Sequence, residues 1–474
     1  MRARLLLILA FLIAQAAPAA TQQQPAPPAG PVRYNQPLIA ITHVTVVDGT
    51  GAPAARDMTI VLRDGRIAAL GPARRTRVPD GATVIDGTGK TLLPGFVFTH
   101  EHMFYPSGGG HFASMLASFP PLYLAGGVTT ARTGGSIAPY ADLSLRDAIV
   151  AGRSLGPDLD VTGPYIEGTG LGIMELHPVA NADAVERLVN YWADTGVTSF
   201  KAYMMLNRAG LQRAIETVHR RGMKITGHLC AVTYREAAEM GIDNLEHGFA
   251  AMTDFVPGKQ PDVCPLQATG DLLANVDPAS PQVRDLIALL VARHVALTST
   301  LVVFEDMTPG RLRLDAAQRA LLNESALRSY DAIHRLIDGP ANTRRSAASF
   351  AKNMRLEHMF VEAGGLLLAG TDPTGAGGAI PGFASIRQIQ LLVEAGFSFE
   401  QAVRIGTLNG AIFLGRDRDV GSLAVGKRAD LILVDGDPVR DPAALAGIQT
   451  VFKAGIGYDR AALLAPARGL IGYR

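Results

Sequence analysis

The sequence predicts an α/β fold: a TIM (β/α)8 barrel with a small β-sandwich built from both ends of the chain. Two observations carry this expectation. The central region alternates short apolar strands with helix-period segments through eight units, whereas both ends carry short β-rich runs and tight-turn dipeptides. Titratable residues also fall near the C-terminal ends of the central strands, the edge at which TIM barrels place their chemistry.

In chain order, residues 1–20 read as a secretory signal peptide. Arg2 and Arg4 precede an apolar run at 5–14, and Ala17-Pro18-Ala19 offers small residues for cleavage. That run is shorter than the roughly 18–20 residues that span a bilayer, and no cysteine follows it to carry a lipid. Residues 21–33, rich in Gln, Pro and Ala, read as a flexible leader. The mature chain is therefore expected to be periplasmic or secreted, with no membrane attachment.

Residues 34–92 and 416–474 are assigned to the sandwich. The β-rich runs lie at 39–47, 58–62 and 66–70, with turns at Asp48-Gly49, Asp64-Gly65 and Asp86-Gly87. The same texture returns at 429–436 and 451–455. Residues 93–415 form the barrel, with strands expected at the 93–102 run and then at 128–131, 159–163, 197–203, 223–228, 241–247, 295–301 and 366–372. Helices are expected at 184–195, 209–221 and 234–240. Residues 251–280 read as a long loop and 305–363 as added helices before the last strand; such long connections are usually functional.

Composition narrows the class. A net charge of +1 and a pI near 7.9 give no footprint for a nucleic-acid partner, and 48% hydrophobic residues with 51 glycines fit a large, loop-rich enzyme. The substrate is expected to be a small molecule, and a homo-oligomer is left open. The two cysteines, Cys230 and Cys264, are expected to be free and buried, since a single pair makes no disulfide framework. Glycine runs at 168–172 and 375–378 lack the Lys-Ser/Thr ending of a nucleotide loop and read as loops at the barrel mouth.

The candidate site is His100, His102, Lys201, His228, His247 and Asp372. Residues i and i+2 of a strand share a side, so His100 and His102 can approach one ion together, while Glu101 points away. Alone, His228 would read as a core histidine and Lys201 as a snorkelling side chain. Together, four imidazoles, a carboxylate and a lysine at strand ends match a dinuclear divalent-metal centre, with zinc expected. Lysine is a poor ligand as an ammonium; carboxylated by CO2, Lys201 becomes an anionic bridging ligand. Tyr203, two residues after Lys201, and Tyr165 and His177, after the third strand, are candidate substrate contacts. Glu175 and His111 lie in neighbouring loops, and Arg132 fits a structural ion pair as well as carboxylate binding.

Thr99-His100-Glu101-His102, Lys201, His228, Leu245-Glu246-His247-Gly248 and Gly370-Thr371-Asp372 together resemble the metal-dependent amidohydrolase superfamily. The segments at 406–411 and 421–430 are similar to its C-terminal signatures. The Leu-Glu-His-Gly run and the sandwich point to its imidazolonepropionase-like and Xaa-Pro dipeptidase-like branch. The resemblance implies that His100, His102 and Asp372 hold one ion and His228 and His247 the other. It further implies a metal-bridging hydroxide as nucleophile, Asp372 as the proton-transfer residue, and a C–N bond (amide, peptide or cyclic amide) as the target. Phe98 stands where the superfamily often has Asp, and the stretch 95–103 resembles phosphotriesterases instead; the segment after His228 is also longer than usual. The rivals are thus a phosphotriesterase- or lactonase-type hydrolase using the same metals, and a non-catalytic periplasmic binding homologue.

Overall fold

The structure is a computed structural model that describes residues 30–108, 111–266, 271–311, 313–340, 342 and 346–472. The expected signal peptide and most of the leader lie outside the described residues. Among the described residues no helix is long and apolar enough to cross a membrane.

Both ends of the chain contribute to one nine-stranded sheet. Strand Val32–Tyr34 pairs with Ile456–Asp459, and Lys90–Pro94 pairs antiparallel with Leu431–Asp435. The Asp64-Gly65 turn is a two-residue hairpin: Arg63 faces Arg66, and both turn residues adopt positive φ (48° and 78°), as a type I′ turn demands. Leu38–Val46 pairs along its first half with Thr83–Asp86 and at its end with Lys90–Pro94.

Burial explains why Leu431–Asp435 reads as an unbroken apolar run. Leu431 and Leu433 pack with Ile39, Ile60 and Phe452 in a small core on one side of the sheet. Ile432 and Val434 join the main core on the other. Side chains alternate across a strand, so a sheet covered on both faces needs apolar residues at every position.

The central region supplies two parallel sheets. Phe96–Glu101, Val128–Thr133 and Asp158–Asp160 form the first. Thr162–Ile166, Ser199–Ala202, Lys224–Gly227, Asn244–Glu246, Ala296–Ser299 and Leu367–Ala369 form the second. The single strand expected at 159–163 is therefore divided at Val161, its halves in different sheets. Side chains replace ladder bonds there: the Thr162 amide donates to Thr133 Oγ1 at 2.8 Å, and the Thr162 hydroxyl donates to the Thr133 carbonyl. At the opposite edge, the Asp372 amide donates to the His100 carbonyl at 3.1 Å, bringing the last strand beside the first.

Helices form where expected, with capping that explains their starts. Ala182–Thr195 begins at Asn181, whose side chain accepts from the Ala184 amide, and ends at left-handed Gly196. Tyr234–Met240 opens with a capping box between Thr233 and Glu236. The added helices Glu324–Ile337 and Ala347–Glu362 precede the last strand. The sequence did not indicate a hairpin of Phe104–Gly108 with His111–Ser114.

One expectation is overturned: Cys230 and Cys264 are not free but joined in a disulfide. The long loop after His247 folds back over the end of the fifth strand, bringing the two Cα atoms to 4.8 Å, within bridging range.

Candidate metal centre

The strand ends converge as the alternation argument requires. His100 and His102 project to one side, and their rings lie 5.2 Å apart. Glu101 turns to the other side, where its carboxylate accepts from the Thr371 amide at 2.8 Å and from the Thr371 hydroxyl. His247 would face away from Glu246 on a continued strand, but its φ of +71° ends the strand and swings the ring inward, 4.6 Å from His100 and 4.4 Å from His228. Asp372 is also left-handed, with φ of +48°. Two non-glycine residues in this region store strain of the kind that clusters at functional sites.

Hydrogen bonds fix which ring nitrogens are free. Burial pushes the Glu246 carboxyl up, but His100, Lys201 and Arg132 outweigh it and keep the group ionised. An ionised carboxylate only accepts, so His100 Nδ1–H donates to it at 2.7 Å. His102 Nδ1 likewise donates to the Gly135 carbonyl at 3.2 Å. Both rings, when neutral, therefore present an Nε2 lone pair to the centre. Burial holds His102 down at about 4 and His228 at about 3, so both are neutral at physiological pH.

Asp372 completes the set. Burial raises its carboxyl, but His100, His102 and His247 outweigh that and hold it well below the usual range. Its Oδ1 lies 3.3 Å from His102 Nε2, and its Oδ2 lies 3.8 Å from both His100 Nε2 and His247 Nδ1. Donor atoms of His100, His102 and Asp372 all fall within 4.8 Å of one another. An anionic oxygen facing imidazole lone pairs is repulsive unless a cation lies between them, so these residues fit a divalent ion.

Lys201 is 1% exposed, and burial lowers its ammonium to about 8. Its Nζ sits 3.3 Å from His100 Nε2 and over the rings of Tyr165 and Tyr203 at 5.4 and 5.6 Å. No carboxylate forms an ion pair with it among the described residues. A buried amine in that state is readily neutral, the form that reacts with CO2.

All six candidate ligands line one cavity of about 200 Å³ with Tyr165, Tyr203, Phe104, Phe112 and Phe304. His177 does not reach it; it is exposed and lines a neighbouring cavity with Glu175. Glu175 accepts from the Phe112 amide at 3.0 Å and contacts His111, fastening the hairpin. Arg132 is fully buried and donates to Thr99, Ser199, Thr226 and Glu246, so it braces strands instead of facing substrate. Sequence reasoning missed Glu246 as the partner of His100. An acid inside an apolar strand was the available signal, hidden by the histidine beside it.

A model of the amidohydrolase family matches residues 91–456. The chain belongs to the amidohydrolase family. That membership implies an α/β TIM-barrel fold and agrees with the resemblance carried by the strand-end motifs. Among curated relatives, the dihydroorotase of Mycobacterium tuberculosis is 30% identical over 171 residues, 36% of this chain and only 37% of that protein. The imidazolonepropionase of Stenotrophomonas maltophilia is 24% identical over 344 residues, 59% of this chain and 84% of that protein. A solved structure provisionally named a prolidase, from Bifidobacterium longum, superposes with a TM-score of 0.65 at 26% identity, covering 91% of this chain and 98% of that one. The imidazolonepropionase and the prolidase-like structure agree with the branch suggested by the Leu-Glu-His-Gly run and the sandwich.

Proposed function

We propose that this amidohydrolase is an exported dinuclear-metal hydrolase that cleaves a C–N bond in a small amide, peptide or cyclic amide. The observation that carries the reading is the convergence of four imidazoles, Lys201 and Asp372 in one buried cavity. The names of its relatives, a dihydroorotase, an imidazolonepropionase and a provisional prolidase, favour C–N over other bonds. Domain limits follow the sequence: a signal peptide at 1–20, a leader at 21–33, a sandwich from 34–92 and 416–474, and a (β/α)8 barrel at 93–415. The Cys230–Cys264 disulfide supports an oxidising compartment, and so export.

In this reading His100, His102 and Asp372 would hold one ion and His228 and His247 the second, and Lys201, once carboxylated, would supply an anionic oxygen ligand. Two bound divalent ions, with zinc the expected metal, supply Lewis acidity and a water acidic enough to attack near neutral pH. Glu246, Gly135 and Thr300 orient three of the imidazoles through their Nδ1 atoms. Asp372 takes the proton of the attacking water and returns it to the leaving nitrogen. Burial pushes the Tyr165 and Tyr203 hydroxyls well up, so both remain donors, and Tyr203, which lines the cavity, would stabilise the developing oxyanion.

The test is a substrate panel on metal-replete mature protein: N-acyl amino acids, Xaa-Pro dipeptides, cyclic amides, lactones and aryl phosphotriesters. Turnover confined to the lactones or phosphotriesters would replace this reading with the alternative suggested by residues 95–103. Folded protein with well under two ions per chain and no turnover would support a binding role. Asp372→Asn should abolish turnover while leaving the circular-dichroism spectrum intact; full retained activity would remove Asp372 from the mechanism.

A further inference from the structure

A second cavity, about 440 Å³, lies directly beside the metal cavity and is larger than it. The two share Ile137, Tyr165 and Leu176 as a common wall. Tyr165 presents its ring to His102 at 6.4 Å and to Tyr203 at 4.8 Å on the metal side. The far side of the second cavity is apolar and comes from the two helices that follow the second and third strands. Pro139–Val150 provides Tyr140 and Ala141, and Ala182–Thr195 provides Leu188 and Trp192.

Two features mark this space as more than a packing gap. Tyr140 and Tyr191 flank Trp192, with ring centroids 4.6 and 5.4 Å from it, yet each tyrosine is more than half exposed. An aromatic cluster held open to solvent is a ready surface for an apolar group. Glu175 also lines the cavity. One of its oxygens accepts from the Phe112 amide; the other, Oε2, is buried with no hydrogen-bond partner among the described residues. Buried polar atoms are nearly always satisfied; this one has no open surface in the cavity as it stands, so a ligand's N–H would complete it only after a small rotation of the Glu175 carboxylate.

We propose that this cavity is a subsite for a bulky apolar arm of the substrate, aromatic or branched aliphatic, that carries an N–H donor to Glu175. The inference rests on the C–N hydrolase reading for what happens at the metal cavity, but not for binding. The substrate class is then an amide with its scissile bond over the strand ends and a large apolar arm passing Tyr165. Small unsubstituted amides occupy only the metal cavity.

Trp192 is the sole tryptophan, so its fluorescence reports occupancy without any turnover. Phenethylamine, which pairs a phenyl ring with an N–H donor, is titrated into metal-loaded mature protein, with ethylamine as the ring-free control. Phenethylamine alone should give a saturable response. Ala141→Phe and, as a milder filling of the same space, Leu188→Phe should each weaken it by about tenfold or more. In turnover, the preference for a phenylalanyl amide over the glycyl amide should fall by a similar factor, with glycyl turnover as internal control. No saturable response, or unchanged affinity in both folded variants, overturns the subsite. A blocked response with no amide hydrolysed keeps the subsite and overturns the hydrolase reading, whereas hydrolysis with a silent Trp192 does the reverse.

Discussion

Glu246 is the residue on which the geometry of His100 depends. It holds Nδ1–H of that ring, while Arg132 anchors it from the side away from the cavity. Outer partners of this kind set ring tautomer and basicity. Glu246→Gln should therefore weaken metal retention by roughly 10–100-fold with the fold unchanged, read by titration with a competing chelator; wild-type retention would refute the link. Gly134 belongs to the same arrangement, since a Cβ there would lie 2.6 Å from the His100 ring. The six candidate ligands were legible in the sequence because a titratable side chain in an apolar strand is conspicuous. Glu246 was not, because alternation alone sends residues 246 and 247 to opposite faces. Only the left-handed backbone at His247 brings both inward, and no residue pattern announces that.

At the level of elements, the added helix Glu324–Ile337 is fastened by His334 to the segments that follow the last two parallel strands. Its Nε2 pairs with Asp306 Oδ1 at 2.8 Å, and the other Asp306 oxygen accepts from the Gly378 amide at 2.8 Å. Burial pushes the His334 imidazolium down, but the bond to Asp306 outweighs it and raises the group above its ordinary value. A raised histidine contributes its stability fully below its unfolded pKa, about 6.5, and loses it as pH rises through the folded value. His334→Gln should thus melt below wild type by about 2 kcal/mol at pH 5.5, with the gap closing by pH 9. A gap independent of pH would mean that the pair contributes no charge. The helices were readable from their apolar periodicity, whereas the caps at Asn181 and Thr233 that set their starts emerge from the structure. The division of the third strand at Val161 was not, because the threonine hydroxyls that replace its ladder bonds also suit an unbroken strand.

Across the whole molecule, Asp158 links the parallel sheets to the sheet made from the chain ends. It receives Lys453 at 2.8 Å, Arg428 at 2.5 Å and Arg416 at 3.0 Å. Burial raises its carboxyl, yet Lys453 and Arg428 prevail and hold it far below the carboxylate range. Its contribution is present above the unfolded pKa, about 3.9, and disappears as pH falls through the folded value. Thermal unfolding should show Asp158→Asn less stable by about 3 kcal/mol at pH 7, and progressively closer to wild type below pH 4. Equal stability at pH 7 would show that the cluster is only decorative. The joining of the two ends was legible from their shared β-rich texture; this charged junction was not, since its members are scattered from 158 to 453.

The nine-stranded sheet also sets an order of events. Lys90–Pro94 emerges from the ribosome early, but its partner Leu431–Asp435 arrives only after nearly all of the intervening α/β region has been made. Val32–Tyr34 waits longer still, for Ile456–Asp459. The first strands therefore cannot complete their sheet while the chain is being synthesised. If the chain is exported as proposed, it would cross the membrane as an open thread, and that delay would keep the sheet unmade until translation is almost over.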